Sequence, residues 1–323
     1  MRVKTKEIFR IIFMGTPDFA VESLKSLHEN EFNIVGVITA PDKPAGRGKK
    51  IQESAVKKYA LENNLRILQP TNLKNDLFLA QLGALKADLQ VVVAFRMLPE
   101  LVWAMPKYGT INLHASLLPN YRGAAPINHA IMNGETKTGI TTFFIEKEID
   151  TGKIIFRKEV DISVNENAGQ LHDKLMYTGG ELIVKTVDAI IEDKIDAMSQ
   201  ISLMDENAEI KSANKIFKPD CEINWNQNID TVYNFIRGLS PYPTAWFEIT
   251  SKEGKFKTFK VFATEKIFEK HSLKPGSILS DNKSEIKVAV NNGFLKLTDI
   301  QLQGKKRMPV RDLLNGFDIE AYL

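Results

Sequence analysis

Apolar residues along this chain change their spacing once, and the change divides it. Between residues 10 and 94 they come as short continuous runs separated by stretches of helical period. Residues 10–14 (RIIFM), 34–38 and 89–94 (LQVVVA) read as buried strands, with a shorter one at 66–68. Val21, Leu24 and Leu27 fall on one face of a helix that follows the turn Gly15-Thr16-Pro17-Asp18, and further helices are expected near 54–62 and 74–85. Strands alternating with helices predict an α/β domain on a doubly wound, mostly parallel sheet. Ligands of such sheets bind beyond the carboxyl ends of the strands, where residues 95–99 (FRMLP) and 115–126 are expected.

After Leu203 the period is lost. Residues 204–214 are polar and read as a linker. The pattern then becomes one of short alternating strands at 245–250, 255–262, 286–290 and 294–299, the last two joined by the hairpin signal Asn291-Asn292-Gly293. This predicts a smaller antiparallel β-barrel of the oligonucleotide-binding type. The expected division is therefore 1–203, a linker at 204–214, and 215–323.

A chain of 323 residues with 43% apolar content is long enough for two cores. Its one cysteine, Cys221, cannot form an internal disulfide, and no Cys/His spacing suggests a zinc site, so no metal is expected. The apolar run at 11–14 is too short for a signal-peptide core, and no run approaches membrane-spanning length. The expectation is a cytoplasmic monomer with no membrane partner. From Lys215 onward there are 17 Lys and Arg against 13 Asp and Glu, whereas residues 1–214 carry 26 against 27. That bias points to an acidic partner for the smaller domain, with nucleic acid the leading candidate. A second basic feature, 41–50 (PDKPAGRGKK), sets Lys43, Arg47, Lys49 and Lys50 among two glycines and two prolines. Taken alone it reads as a solvated surface loop; the functional alternative is a finger that contacts phosphates.

Candidate chemistry centres on residues 111–152. Asn112 and His114 are two apart on a short apolar run, so on a strand their side chains leave one face. Asp150 follows in a glycine-bounded loop. Each alone is readily explained as a structural residue. Together they supply a hydrogen-bond donor, a group that titrates near neutrality and a carboxylate. No serine or cysteine occupies a nucleophile elbow, so the attacking group comes from a substrate, and direct group transfer follows. The turn GTPDFA lacks the glycine spacing of a dinucleotide site, and no GxxxxGK[ST] loop is present, which excludes a nicotinamide enzyme and a P-loop ATPase. Asp150-Thr151-Gly152 spells the aspartic protease tripeptide, but that chemistry needs two carboxylates sharing a proton, and the doubly wound context is wrong for it.

The run NLHASLLPNYRGAAPINHAI with IDTG downstream resembles the folate-dependent formyltransferase family. So do FMGTPDFA, PDKPAGRGKK and the C-terminal stretches NKIFKPDCEINW, IRGLSPYPTAW and LQGKKRMPVRDLLNG, so that the resemblance spans about residues 10–316. It implies a Rossmann-like catalytic domain with an Asn112, His114 and Asp150 site. It also implies transfer of a formyl group from 10-formyltetrahydrofolate to the amino group of methionine on charged initiator tRNA. Asn112 and protonated His114 would donate to the oxyanion while Asp150 keeps His114 charged and moves a proton. Folate is expected against Arg96, Met97 and Leu98 and against Ser116, Leu117, Leu118 and Pro119; tRNA against Lys43, Arg47, Lys49, Lys50, Lys305, Lys306 and Arg307. Arg122 and Gly123 are expected to shape their turn, with the Arg also placed to meet an acidic substrate. Within the family, an N-formyltransferase acting on an amino-sugar nucleotide shares the catalytic motif but has no use for the two basic elements. A hydrolase releasing formate and a non-catalytic tRNA-binding protein are the remaining alternatives.

Overall fold

Leu89–Val93 is buried at all five positions, as a strand must be when both faces of its sheet are covered. A computed structural model describes residues 5–45, 50–204, 209–251 and 253–322. The chain divides into two compact units, which are Met1–Arg122 with Thr138–Val160 and His172–Lys211, and Gly123–Lys137 with Asp161–Leu171 and Ser212–Leu323.

Among the described residues, the strands of the first half of the chain are β1 (Ile11–Gly15), β2 (Ile34–Ile38), β3 (Lys43–Ala45), β4 (Lys50–Gln52), β5 (Ile67–Leu68), β6 (Leu89–Val93), β7 (Thr110–His114), β8 (Arg122–Gly123), β9 (Lys137–Phe144) and β10 (Ile154–Asp161). Seven form one sheet in the order β10-β9-β7-β6-β1-β2-β5. Its centre, from β5 through β7, is parallel, and β9 runs antiparallel to β7. The doubly wound, mostly parallel architecture is as expected from the alternation of apolar runs. The order reverses direction at β1 and β6, so the switch point where such sheets bind ligands lies between the loops that follow these two strands. Ile12, Met14, Ile38, Phe78, Leu82, Val92 and Val102 form one core cluster of this unit. Elsewhere in it the helix Ala168–Ile191 approaches β7 and β9. Leu113 lies against Gly179 so closely that a Cβ there would meet it at 2.7 Å, and the Thr142 and Thr186 hydroxyls are hydrogen-bonded at 2.9 Å.

The basic stretch 41–50 differs from a plain loop. Its described flanks, β3 and β4, pair antiparallel with Lys43 opposite Gln52 and Pro44 opposite Ile51. A two-stranded ribbon tolerates Pro44 because an edge position leaves its missing N–H without consequence. The ribbon's base is pinned by Asp42, which accepts from Lys57 Nζ at 2.5 Å and from Gln69 Nε2 at 2.8 Å. Those two donors hold the Asp42 carboxyl below the usual carboxylate range. Arg47 and Lys49 lie outside the described residues.

The second unit contains β11 (Ser212–Ala213), β12 (Ala245–Thr250), β13 (Phe256–Ile267), β14 (Ile278–Ser280), β15 (Ile286–Val290), β16 (Gly293–Leu302) and β17 (Met308–Pro309). An antiparallel sheet runs β12-β13-β16-β15-β14, with β17 paired to β16. It is the small antiparallel barrel-type sheet that the alternation predicts, and β15 and β16 are joined at Asn291-Asn292. Strands β13 and β16 run longer than the pattern suggests, because register shifts between Val261 and Thr264 let β13 continue. Ile229, Val232, Ile236 and Leu239 of the helix Ile229–Leu239 pack into a core with Phe259, Val261, Val288 and Leu295.

The compact units depart from a single cut at 204–214. Residues 123–137 and 161–171 belong with the C-terminal part, because Asn128 donates to the Gly238 carbonyl at 2.7 Å, Arg237 to the Glu166 carbonyl at 2.6 Å and Tyr233 to Asn165 at 2.8 Å. Nor is the described part of 204–214 a free tether. Lys211 N donates to Asn120 Oδ1 at 3.1 Å, its carbonyl accepts from Tyr121 N at 2.5 Å, and β11 pairs with β8. Polar composition hides this because the bonds are made by backbone, which carries no hydrophobic signal. Among the described residues no helix is long and apolar enough to cross a membrane.

Phe143, 2% exposed, forms a separate small cluster with Leu118 and Ile154. Replacing it with alanine removes a packed ring from beneath the loop that follows β7. The expected loss is about 3–5 kcal/mol in urea unfolding of the first unit; a loss under about 1 kcal/mol would show that this cluster does not support the fold.

Candidate active site

Side-chain alternation along β7 decides what faces what. Leu113 is directed to the helix side, so Asn112 and His114 leave the opposite face together. Asn112 is half-buried and His114 is 6% exposed. The His114 Nε2 donates to the Tyr121 carbonyl at 2.7 Å. A carbonyl only accepts, so this contact places a proton on Nε2 and leaves Nδ1 as the nitrogen available for chemistry. Nδ1 faces Asp150 Oδ2 at 3.9 Å, a charge contact slightly longer than a hydrogen bond. The Phe143 ring meets the imidazole edge-on at a centroid distance of 6.5 Å. The three polar residues singled out in the sequence thus lie on one strand face and one loop, with His114 and Asp150 in direct register.

Asp150 is held from behind. Its φ is +55°, and that of Tyr121 is +61°, so both partners of His114 come from left-handed backbone that non-glycine residues rarely adopt. The Asp150 and Gly152 carbonyls each accept from Gln200 Nε2 at 2.8 Å. Gly152 has no room for a side chain, since a Cβ there would stand 1.7 Å from the Phe144 carbonyl oxygen. Gln200 Oε1 in turn accepts from Arg122 Nε at 3.1 Å and Nη2 at 2.7 Å. Two of the five Arg122 N–H donors are thus directed to Gln200, which ties the turn after β7 to the Asp150 loop.

A cleft of about 640 Å³ lies beside the loop after β6. Arg96, Met97 and Leu98 line it, joined by Thr71–Lys74 and by Pro99–Leu101. Met97 is 73% exposed and supplies an open apolar wall. The Arg96 guanidinium donates to the Thr71 carbonyl at 2.9 Å and to the Pro70 carbonyl, and burial pulls its pKa below the usual guanidinium value. It braces the opposite wall. Ser116, Leu117, Leu118 and Pro119 are not among the lining residues. Ser116 is fully buried with its hydroxyl on the Asn120 carbonyl at 2.7 Å, and Leu118 belongs to the Phe143 cluster. Thr141 ties this turn down, donating to the Ser116 carbonyl at 2.7 Å and accepting from Leu118 N at 3.2 Å.

Of the basic residues, Lys43 is exposed on β3, and Lys305 and Lys306 are exposed in the turn between β16 and β17. Arg307 is committed to Asp299 at 2.5 Å and stacks over Phe262 at 4.3 Å. Lys50 begins β4 opposite Ala45. Residues 71–74 and Gln200 had no sequence signal of function. The former sit on a loop before a helix, the latter in a polar stretch beside the expected linker; only contacts across 48 to 78 positions expose the place of Gln200.

Comparison with known proteins gives this geometry a lineage. Residues 9–187 match the formyl transferase family and residues 215–318 the formyl transferase C-terminal domain. A methionyl-tRNA formyltransferase of Bacteroides thetaiotaomicron is 57% identical over 312 residues, 97% of either chain. The N-formyltransferase of Helicobacter canadensis, solved on complex with folinic acid and dTDP-3-aminofucose, superposes with a TM-score of 0.65 at 20% identity, over 93% of this chain and 100% of that one. HypX from Aquifex aeolicus gives 0.64 at 18% identity over 97% of this chain, which spans about half (49%) of the HypX length. These two likenesses are of fold alone. With both family domains matched in order and more than half of all residues shared with a relative of equal extent, the chain belongs to the methionyl-tRNA formyltransferases of the formyl transferase family.

Proposed function

We infer that this chain transfers a formyl group from 10-formyltetrahydrofolate to the α-amino group of methionyl initiator tRNA, in the cytoplasm. The observation that carries the reading is the 57% identity, over 97% of either chain, to a methionyl-tRNA formyltransferase, in a chain whose His114 faces Asp150 with Asn112 two positions before it on the same strand. The donor's contribution is a formyl group on a nitrogen that can leave. The cleft beside β6 fits such a molecule in size and character, with apolar walls from Leu73, Met97 and Leu98 and a cation, Lys74, on the rim for its carboxylates.

The protein's own work is electrostatic. As the neutral amine attacks the formyl carbon, charge builds on the formyl oxygen, and the Asn112 amide donates to it. In the protonated imidazole, Nε2–H is engaged with Tyr121, so Nδ1–H is the ring donor that serves this charge, and Asp150 stabilises the cation so formed. The amine loses a proton to Asp150, directly or through water, and that proton passes to the departing nitrogen as the carbon–nitrogen bond breaks. No protein nucleophile is needed. Lys43, Arg47, Lys49, Lys50, Lys305, Lys306 and Arg307 are proposed for tRNA phosphates, with Lys305 and Lys306 more available than Arg307, whose guanidinium already holds Asp299. An amino-sugar nucleotide as acceptor has weaker support, since it would leave both basic elements without a role.

Asn112→Ala, His114→Ala and Asp150→Ala should each lower single-turnover formylation of charged initiator tRNA by about 10² to 10³, with tRNA affinity nearly intact. Turnover like that of the parent protein in any of the three would remove that residue from the site. Gly152→Ala must displace the loop that carries Asp150, and a loss of at least about tenfold is expected in the same assay; normal turnover would mean that the loop adapts freely. For the basic elements, replacing Lys305 and Lys306 together by alanine should weaken tRNA binding and reduce the slope of log affinity against log salt by about 2. An unchanged slope would place the tRNA elsewhere.

A further inference from the structure

Both partners of the His114 ring trace back to one side chain. The Tyr121 carbonyl that accepts from Nε2 belongs to the peptide leading into Arg122, and the Arg122 guanidinium makes two hydrogen bonds to Gln200 Oε1. The Asp150 carboxylate that faces Nδ1 belongs to a loop whose carbonyls at Asp150 and Gly152 take the Gln200 Nε2 donors. A closed circuit results, running His114, Tyr121, Arg122, Gln200, Asp150 and back to His114. Gln200 is 2% exposed, and its amide offers two donors and two lone pairs, all of which are used. Few side chains can do this. An apolar residue of the same size would fill the space but leave two loop carbonyls and the Arg122 fork without partners, and a glutamate would set oxygen against oxygen at the Asp150 loop.

We propose that Gln200 is a positioning residue for the transfer reaction: it fixes the separation between the Asp150 carboxylate and His114 Nδ1 by locking their two left-handed supports to one another. The 3.9 Å gap explains why such a lock matters. It lies just beyond hydrogen-bond reach, so a displacement of a few tenths of an ångström converts a charge contact into a hydrogen bond or opens it to water. Left-handed backbone at Asp150 and Tyr121 persists only where surrounding contacts hold it, and the side chains of Arg122 and Gln200 are the contacts that join the two. The proposal rests on the roles assigned above to His114 and Asp150.

The test is Gln200→Glu, which keeps shape and the Arg122 pairing but loses both donors to the loop, with Gln200→Met as a second variant that introduces no repulsion. Thermal melting establishes that each is folded at the assay temperature. Steady-state formylation of charged initiator tRNA should show kcat lowered by about ten- to a hundredfold, with KM for both substrates within about twofold. In an Asp150→Asn background, Gln200→Glu should add less than about twofold, because its effect is exerted through that carboxylate. A readout free of turnover is the long-range 1H–15N spectrum of the imidazoles. The His114 ring signals should move in both variants while those of His28, His129, His172 and His271 stay in place. Unaltered His114 signals would overturn the proposal, as would a kcat within about twofold of the parent, a loss carried by KM, or a full multiplicative loss on top of Asp150→Asn. Absence of tRNA formylation by the parent protein would instead contradict the proposed acceptor, and the imidazole spectra would still decide the role of Gln200.

Discussion

One imidazole held at both nitrogens is the constraint on which the rest of the site depends. His114 has Nε2 on a carbonyl oxygen and Nδ1 toward a carboxylate, so its tautomer and ring orientation are set by groups outside its own strand. The two supports are expensive conformations, and the fold stabilises them with specific devices. These are a buried threonine that pins the turn after β7, a glycine too close to a neighbouring carbonyl to be anything else, and an amide–guanidinium pair. Each lies within the first compact unit. These contacts within the fold preorganise the proposed site.

Sheet topology brings the other components to the same edge. Strands β1, β2, β6 and β7 are parallel, so the turn after β1, the ribbon after β2, the cleft-forming loop after β6 and the His114 end of β7 all lie at their carboxyl ends. The proposed donor site in the cleft beside β6 and the proposed acceptor contacts on the ribbon after β2 would thus be served by neighbouring loops of one sheet. The direct chemistry follows from this arrangement. In the proposed reaction donor and acceptor are both substrates, so the protein would contribute a hydrogen bond, a positive charge and a proton path, with no nucleophile of its own.

Much of this was legible in the sequence, and the parts that were not share a cause. Period-two alternation is enough to put Asn112 and His114 on one face, and continuous apolar runs such as Leu89–Val93 are enough to announce a covered parallel sheet. The hairpin at Asn291-Asn292 and the alternating strands of the smaller unit were equally visible. Long-range polar contacts leave no period. Gln200 lies among polar residues next to the expected linker, and its partners are 48 to 78 positions away. Residues 116–119 follow β7 and carry a family signature; the side chains of Ser116 and Leu118 are buried in the fold, which leaves backbone as the part of this turn proposed to meet folate, while residues 71–74, with no motif, form the other wall of the cleft beside β6. The division of the chain was blurred for the same reason, since Asn128 and Glu166 join the C-terminal unit through hydrogen bonds rather than an apolar pattern.

In the proposed function, a site for direct formyl transfer is directed to a tRNA. Its most direct test supplies formyl-labelled 10-formyltetrahydrofolate together with equal concentrations of methionyl initiator tRNA and an amino-sugar nucleotide, and follows the label. Label is expected on the methionyl amine alone, at a rate that falls with added salt as phosphate contacts are screened. Label on the sugar nucleotide, or release as free formate with neither acceptor modified, would contradict the proposed function.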